Sequence, residues 1–201
     1  MKMEDTKPEA VILDATAGNR MFWKKKNDKR VLWIDIQEDL EIPPDAVIDC
    51  TDTGFPDQSF HTIIFDPPHW WGDEPASTFF TIKNKEDKEK LQEKYPEMDI
   101  HGCYYGTDIY KTKSQLIKFL HKAQLEFHRI IWDNGILWFN WCEVKINLRK
   151  VLPIFTNWDP MIILPIGSKL QTMGDSQNYW VMLMKKDRPM WQTHLGGIYE
   201  K

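Results

Sequence analysis

The chain reads as an α/β protein on a mostly parallel sheet, and three observations lead there. Short, branched apolar runs recur at the length of buried strands. The first four of them each end on an aspartate: Val11-Ile12-Leu13 at Asp14, Val31-Leu32-Trp33-Ile34 at Asp35, Ala46-Val47-Ile48 at Asp49, and Thr62-Ile63-Ile64-Phe65 at Asp66. The last two runs follow each other with no helical stretch between them. A strand buried on both faces carries continuous apolar residues, as these do. In open parallel sheets, ligands bind outside the carboxyl ends of the strands, near the point where strand order reverses. Four acids at such ends therefore mark one edge as a candidate site.

The elements follow in order. Ala15-Thr16-Ala17-Gly18-Asn19 after the first strand is small and turn-prone. Beyond the fourth strand the periodicity fails from Trp70 to Lys113, where a run of mixed charge (Lys83 to Lys94) is flanked by aromatics. An insertion of that length between core elements is expected to be a substrate lid, spanning 70–113. Ser114 to Trp132 carries Leu116, Ile117, Leu120, Ala123, Phe127, Ile130 and Ile131 at helical spacing, with Ser114 as the expected N-cap. Asn134-Gly135 suggests a turn into a fifth strand, 136–141. A short helix around 144–155 leads to a sixth strand, 161–164, and a seventh, 179–184, forms an antiparallel hairpin with it. The prediction is seven strands in one domain covering 1–201.

Composition narrows the function. A chain of 201 residues with 42% apolar content can bury a full core, and its ten tryptophans suit cores and sites that grip flat ligands. The net charge of −4 argues against a broad basic surface, so a nucleic-acid partner would need a local patch or an accessory subunit or homodimer. Cys50, Cys103 and Cys142 share no C-x-x-C spacing, and His101-Gly102-Cys103 has no second ligand pair, so no metal is expected. No stretch has the length of a membrane span and the first residues lack a signal-peptide core, so a soluble cytoplasmic protein is expected.

Taken together, Gly18-Asn19-Arg20-Met21-Phe22-Trp23 in the first loop, the strand-end acids and Asp66-Pro67-Pro68-His69 make the chain similar to the class I (Rossmann-like) S-adenosylmethionine-dependent methyltransferases, over about 11–186. More narrowly, it resembles small stand-alone members with G-x-R-M-F-W and D-P-P-H, in the D-P-P-x group of amino-methyltransferases. The resemblance implies S-adenosylmethionine as cofactor. It implies that Asp14, Ala15, Thr16, Gly18, Asn19 and Arg20 pass beneath its methionine part, with amides of a following helix start meeting the carboxylate. Arg20 is equally suited to that carboxylate, to Asp14 or to Asp35. Asp35, with Ile36 beside it, corresponds to the ribose-binding acid, and Asp49 with Cys50 to the adenine-binding pair; either acid could instead cap a turn. Such loops usually hold two or three glycines, and this one holds Gly18 alone.

Asp-Pro-Pro-His carries the chemistry that the resemblance implies, with Asp66, Pro67, Pro68 and His69 as catalytic candidates. The nitrogen of an exocyclic amine is a poor nucleophile because its lone pair is delocalised into the ring. A carboxylate (Asp66) and a carbonyl (Pro67) that both accept from the NH₂ group favour the pyramidal form and expose that pair. The fourth position usually holds a stacking aromatic; here it is His69, and Trp70 or Trp71 could take that role. Tyr105 in the aromatic-flanked insertion, Asn140, Trp141 and Glu143 after strand five, and Lys169 after strand six are candidate substrate contacts, each as well suited to packing or surface duty. The expected reaction is methylation of cytosine N4 or adenine N6, with RNA ahead of DNA because no target-recognition domain is evident. A protein amide or small-molecule acceptor, or a silent cofactor- or partner-binding subunit, are the alternatives.

Overall fold

The computed structural model describes residues 10–69, 71, 93, 110–166 and 177–186. Its strands are β1 (Ile12–Asp14), β2 (Val31–Asp35), β3 (Ala46–Val47), β4 (Phe60–Phe65), β5 (Ile131–Cys142), β6 (Trp158–Ile166) and β7 (Asn178–Lys185). They form one seven-stranded sheet in the order β3-β2-β1-β4-β5-β7-β6. The pairs from β3 through β5 are parallel, while β7 runs antiparallel to both β5 and β6. Strand order thus reverses between β1 and β4, and the closing hairpin lies at the far edge, as expected. This is the mixed sheet implied by the resemblance to Rossmann-like methyltransferases. The stretch 70–113 expected as a lid lies outside the described residues apart from Trp71, Glu93 and 110–113, and so do Trp70, Tyr105 and Lys169.

Helix α1 (Lys113–Ile130) buries Leu116, Leu120, Ala123, Gln124, Phe127 and Ile130 against one face of the sheet. Phe127 meets Phe65 of β4 edge-on at 4.8 Å, and Phe65 stacks on Phe139 of β5 at 5.9 Å. The N-cap is Thr112, not Ser114. Its side chain accepts from the Gln115 amide at 3.3 Å while the Gln115 side chain accepts from the Thr112 amide at 3.1 Å. The glutamine three residues on makes this a reciprocal capping box, which Ser114, followed at that distance by Ile117, could not form. Gln124 looks misplaced on an apolar face, but its side-chain oxygen accepts from the indole N–H of buried Trp158 at 3.1 Å, so the pair is satisfied inside the core.

Glu126 on α1 pins the chain just ahead of β4. It accepts from Thr53 Oγ1 and the Thr53 amide, and from the Arg129 guanidinium, whose other end donates to the Phe55 carbonyl. Helix α2 (Leu148–Val151) continues into a 3₁₀ turn, Leu152–Ile154, shorter than the expected helix. Its first amide, at Leu148, donates to Glu143 at 2.7 Å, so Glu143 serves as a cap. Among the described residues, no helix is long and apolar enough to cross a membrane.

The opposite face is covered differently. Between β1 and β4 no helix occurs among the described residues; residues 15–30 and 36–45 cross as turns and bends. Trp23 packs edge-on against Trp33 of β2 at 5.7 Å, the Arg20 guanidinium lies 4.0 Å from the Trp33 ring centroid, and Phe22 meets Trp180 of β7 edge-on at 5.0 Å. Rings from the first loop thus cover the sheet where a helix would otherwise pack.

Asn134-Gly135 does not make the expected turn. Both residues lie inside a continuous β5, at an irregularity where pairing shifts from Phe60↔Ile131 to Thr62↔Ile136. A β-carbon at Gly135 would fall 2.9 Å from the His61 backbone oxygen and 2.5 Å from Ile131 Cγ1. Gly135→Ala should therefore destabilise the fold by about 1–3 kcal/mol through overpacking. Urea unfolding of the purified variant measures this; unchanged stability would show that β5 shifts freely here.

Candidate functional site

Because the strand order is β3-β2-β1-β4, the acids fall along one carboxyl edge in spatial order: Asp49 just beyond β3, Asp35 ending β2, Asp14 ending β1 and Asp66 just beyond β4. Asp14 and Asp66 are buried, Asp35 is half-buried and Asp49 is exposed. Asp35 acts electrostatically on both Asp14 and Cys50, as neighbours on such an edge should. Ile36, just beyond Asp35, is exposed at the same edge.

The first loop is tied down by its own backbone. The Ala15 amide donates to the Ile64 carbonyl and the Ala17 amide to the Ile34 carbonyl. The Gly18 amide donates to Asp35 at 2.9 Å, and Asp35 also accepts from the Gln37 amide. Gly18 has φ +47, a left-handed conformation that glycine adopts without strain, and Arg20 follows at φ +55. Two left-handed residues close together stop a helix from starting. The expected helix-start amides are therefore not built here, and the loop approaches any ligand through turns. Asn19 accepts from the Ile42 amide and so fixes the next loop.

Arg20 is buried, and its ion pair is with Asp45 at 3.7 Å rather than with Asp14 or Asp35. Its nitrogens donate to the carbonyls of Lys26 and Pro43. Of the carboxylates that sequence reading offered it, Asp14 and Asp35 are not its partners; it pairs with Asp45 and clamps the two loops over Trp33.

Asp14 accepts from the Trp23 indole N–H at 2.6 Å and from the Thr16 amide at 3.4 Å. Thr16 Oγ1 in turn accepts from the Asp66 amide at 2.8 Å, which couples the first loop to Asp-Pro-Pro-His. Thr16 was a candidate; nothing in the local pattern marked Trp23 as a partner of Asp14. At the end of β4 the His69 ring packs edge-on against Trp141 at 5.7 Å. Burial pushes the His69 imidazole down to about 4, partly offset by a hydrogen bond with the Pro67 backbone, so the ring is neutral at pH 7.

Trp141, a candidate for substrate contact or for packing, is fully buried, stacked on Phe139 and donating to the Ile146 carbonyl. Its place on the Phe139 side of β5 puts it beneath His69, where it supports that ring. Asn140 lies on the opposite side, paired in register with Trp180. Its buried Oδ1 has no hydrogen-bond partner among the described residues. Trp71 is half-buried, and the Lys145 ammonium donates to its carbonyl. A residue read only as part of the aromatic insertion, Tyr110, also reaches the edge. It packs on Phe119 at 5.0 Å, and burial, with the Asp49 carboxylate nearby, pushes its phenol well above the usual range. Among the described residues, no group of three or more potential metal ligands is gathered.

No protein-family model matches the chain, and no curated protein matches it. Among solved structures, it is similar to the PH0226 protein from Pyrococcus horikoshii OT3, at 11% identity over 92% of this chain and 85% of that one, with a TM-score of 0.51. It is similar to the [4+2]-cyclase SpnF, at 9% identity over 92% and 80%, TM-score 0.49. It is also similar to a TehB-like SAM-dependent methyltransferase from Corynebacterium glutamicum, at 14% identity over 89% and 81%, TM-score 0.47. At such identities a likeness speaks to the fold, and of these three only the first is close enough in shape to support it.

Burial raises the Asp14 carboxyl from 3.8 to about 6; the Trp23 and Thr16 hydrogen bonds and the Arg20 charge pull it down, and Asp35 pushes it up. Between those two values the folded chain keeps a proton that the unfolded chain has lost. This group's contribution to stability therefore falls as pH rises through that window. Asp14→Asn keeps the shape without the charge. It should raise stability at pH 7 by about 1–3 kcal/mol and leave it nearly unchanged at pH 4. Urea unfolding at both pH values checks this; an equal effect at the two would contradict the burial of a charged Asp14.

Proposed function

We propose that the chain is an S-adenosylmethionine-dependent N-methyltransferase acting on the exocyclic amino group of a nucleobase, cytosine N4 or adenine N6, with RNA favoured over DNA. The observation that carries this reading is the run of Asp49, Asp35, Asp14 and Asp66 along one carboxyl edge, ending in Asp-Pro-Pro-His. The residues present fit the donor. Its cationic end suits an edge lined by acids whose nearby guanidinium, Arg20, is turned to backbone carbonyls and Asp45. Asp35 retains free lone pairs for the ribose hydroxyls, Asp49 and Cys50 would meet adenine beside Tyr110, and 14–20 would lie beneath the methionine part.

When bound, S-adenosylmethionine supplies a methyl group on a sulfonium that departs as a neutral thioether. The chain's own residues then have to orient the amine. The Asp66 carboxylate and the Pro67 carbonyl accept from its two N–H bonds, pyramidalise the nitrogen and aim its lone pair at the methyl carbon. As the N–C bond forms, the extra amine proton passes to Asp66 or to water. A neutral His69 brings no positive charge near a cationic donor and offers a flat ring to the base. Asn140 Oδ1 is a further acceptor for the substrate. Catalysis here is mostly positioning and charge placement.

The net charge of −4 favours a second acceptor class, a protein amide or a small molecule. Steep loss of binding with added salt indicates nucleic acid, and indifference to salt the smaller acceptor.

Incubation of the purified protein with labelled donor and separate pools of RNA and DNA, followed by nucleoside mass spectrometry, should reveal N-methylated cytosine or adenine. Asp66→Ala should lower turnover by about 100-fold or more while leaving donor binding largely intact. Undiminished turnover in that variant would overturn the mechanism.

A further inference from the structure

We propose that Trp23 is a positioning residue for donor binding: its indole N–H orients the Asp14 carboxylate and favours its anion, and so sets the pH range over which donor binding is proton-linked. This rests on the reading of the acidic edge as a donor site.

The geometry makes the indole more than a packing ring. Trp23 stands nine positions after Asp14, so the far end of the loop folds back onto its beginning. The indole donates to one Asp14 oxygen at 2.6 Å, whereas the other oxygen receives, among the described residues, only the long 3.4 Å bond from Thr16. The ring cannot easily swing away. It is wedged edge-on against buried Trp33, the Trp23 amide donates to the Arg20 carbonyl, and Arg20 is clamped to the next loop. Phe22 beside it is seated on Trp180. Any large ring could fill this space, but only one with a hydrogen-bond donor can hold a carboxylate there.

The charged groups around Asp14 define its behaviour. Asp35 from β2 disfavours its ionisation, Arg20 favours it, and Asp66 beyond β4 is joined to it through Thr16. The Trp23 bond is the strongest of the contacts that favour the anion, working against burial, and the balance lies at about 6. A cationic donor stabilises ionised Asp14 and gains nothing from the protonated form, so binding near that pH must release a proton. Removing the indole N–H raises the pH at which Asp14 ionises.

The test is calorimetric titration of the wild type, Trp23→Phe and Asp14→Asn with S-adenosylmethionine, from about pH 5.5 to 8.5, in two buffers of different ionisation enthalpy. Wild-type affinity should fall with decreasing pH, approaching about tenfold per unit below the Asp14 midpoint, with up to one proton released. Trp23→Phe should bind severalfold more weakly near neutrality and recover by the alkaline end. Asp14→Asn should bind weakly with no such pH dependence. A Trp23→Phe deficit that is equal at every pH reduces the residue to packing and overturns the proposal, as does a wild-type affinity that ignores pH. If Trp23→Phe fails to fold, wild type against Asp14→Asn still decides whether binding is linked to Asp14. Wild type that binds no donor at any pH refutes the donor site itself, an outcome distinct from the other two.

Discussion

Four carboxylates along one edge of a parallel sheet repel one another, and two of them are buried. Everything around that edge answers this constraint. Asp35 accepts hydrogen bonds from the Gly18 and Gln37 amides, and Asp49 from the Thr51 amide. Asp14 is held by an indole. The one buried guanidinium among the described residues, Arg20, does not quench the edge; it pairs with Asp45 and backbone carbonyls over Trp33. The negative potential is left in place rather than cancelled, which stability alone would not favour. A fold that keeps such a potential is suited to a cationic ligand.

The first loop has two duties that are usually divided. Its backbone fastens Ala15, Ala17 and Gly18 to β4, β2 and Asp35, while its side chains at 20, 22 and 23 form the layer over that face of the sheet. Phe22 is anchored on β7, so the segment passes the ends of β4 and β5, where Asp66 and Asn140 lie. The aromatic richness of the chain is thereby explained in part: Trp23, Trp33 and Trp180 replace helical packing, and Trp141 and Trp158 fill the other face beside α1.

Much of this was legible in the residues. Strand positions followed from continuous apolar runs, and the acid at each strand end placed the edge without any coordinates. The amphipathic stripe of α1 was equally direct. What escaped reading, apart from the local capping box, depends on contacts distant in sequence. Thr112 displaced Ser114 as N-cap because Gln115 answers it. Asn134-Gly135 resembles a hairpin turn locally, but pairing with β4 keeps it in a strand. Arg20 pairs with neither Asp14 nor Asp35 because the positive φ values at Gly18 and Arg20 turn the chain toward residues 42–45. The Trp23–Asp14 bond could have been suspected only from the knowledge that this loop folds back on itself.

Hydrogen exchange followed by mass spectrometry, with and without S-adenosylmethionine, tests the acidic edge most directly because it reads position rather than turnover. Protection on binding should concentrate in 14–20, 34–37, 48–51 and 66–69, on four neighbouring strand ends at once. Protection confined to the β6 side of the sheet, or none in those four segments while the donor is bound, would contradict the assignment of this edge as the donor site.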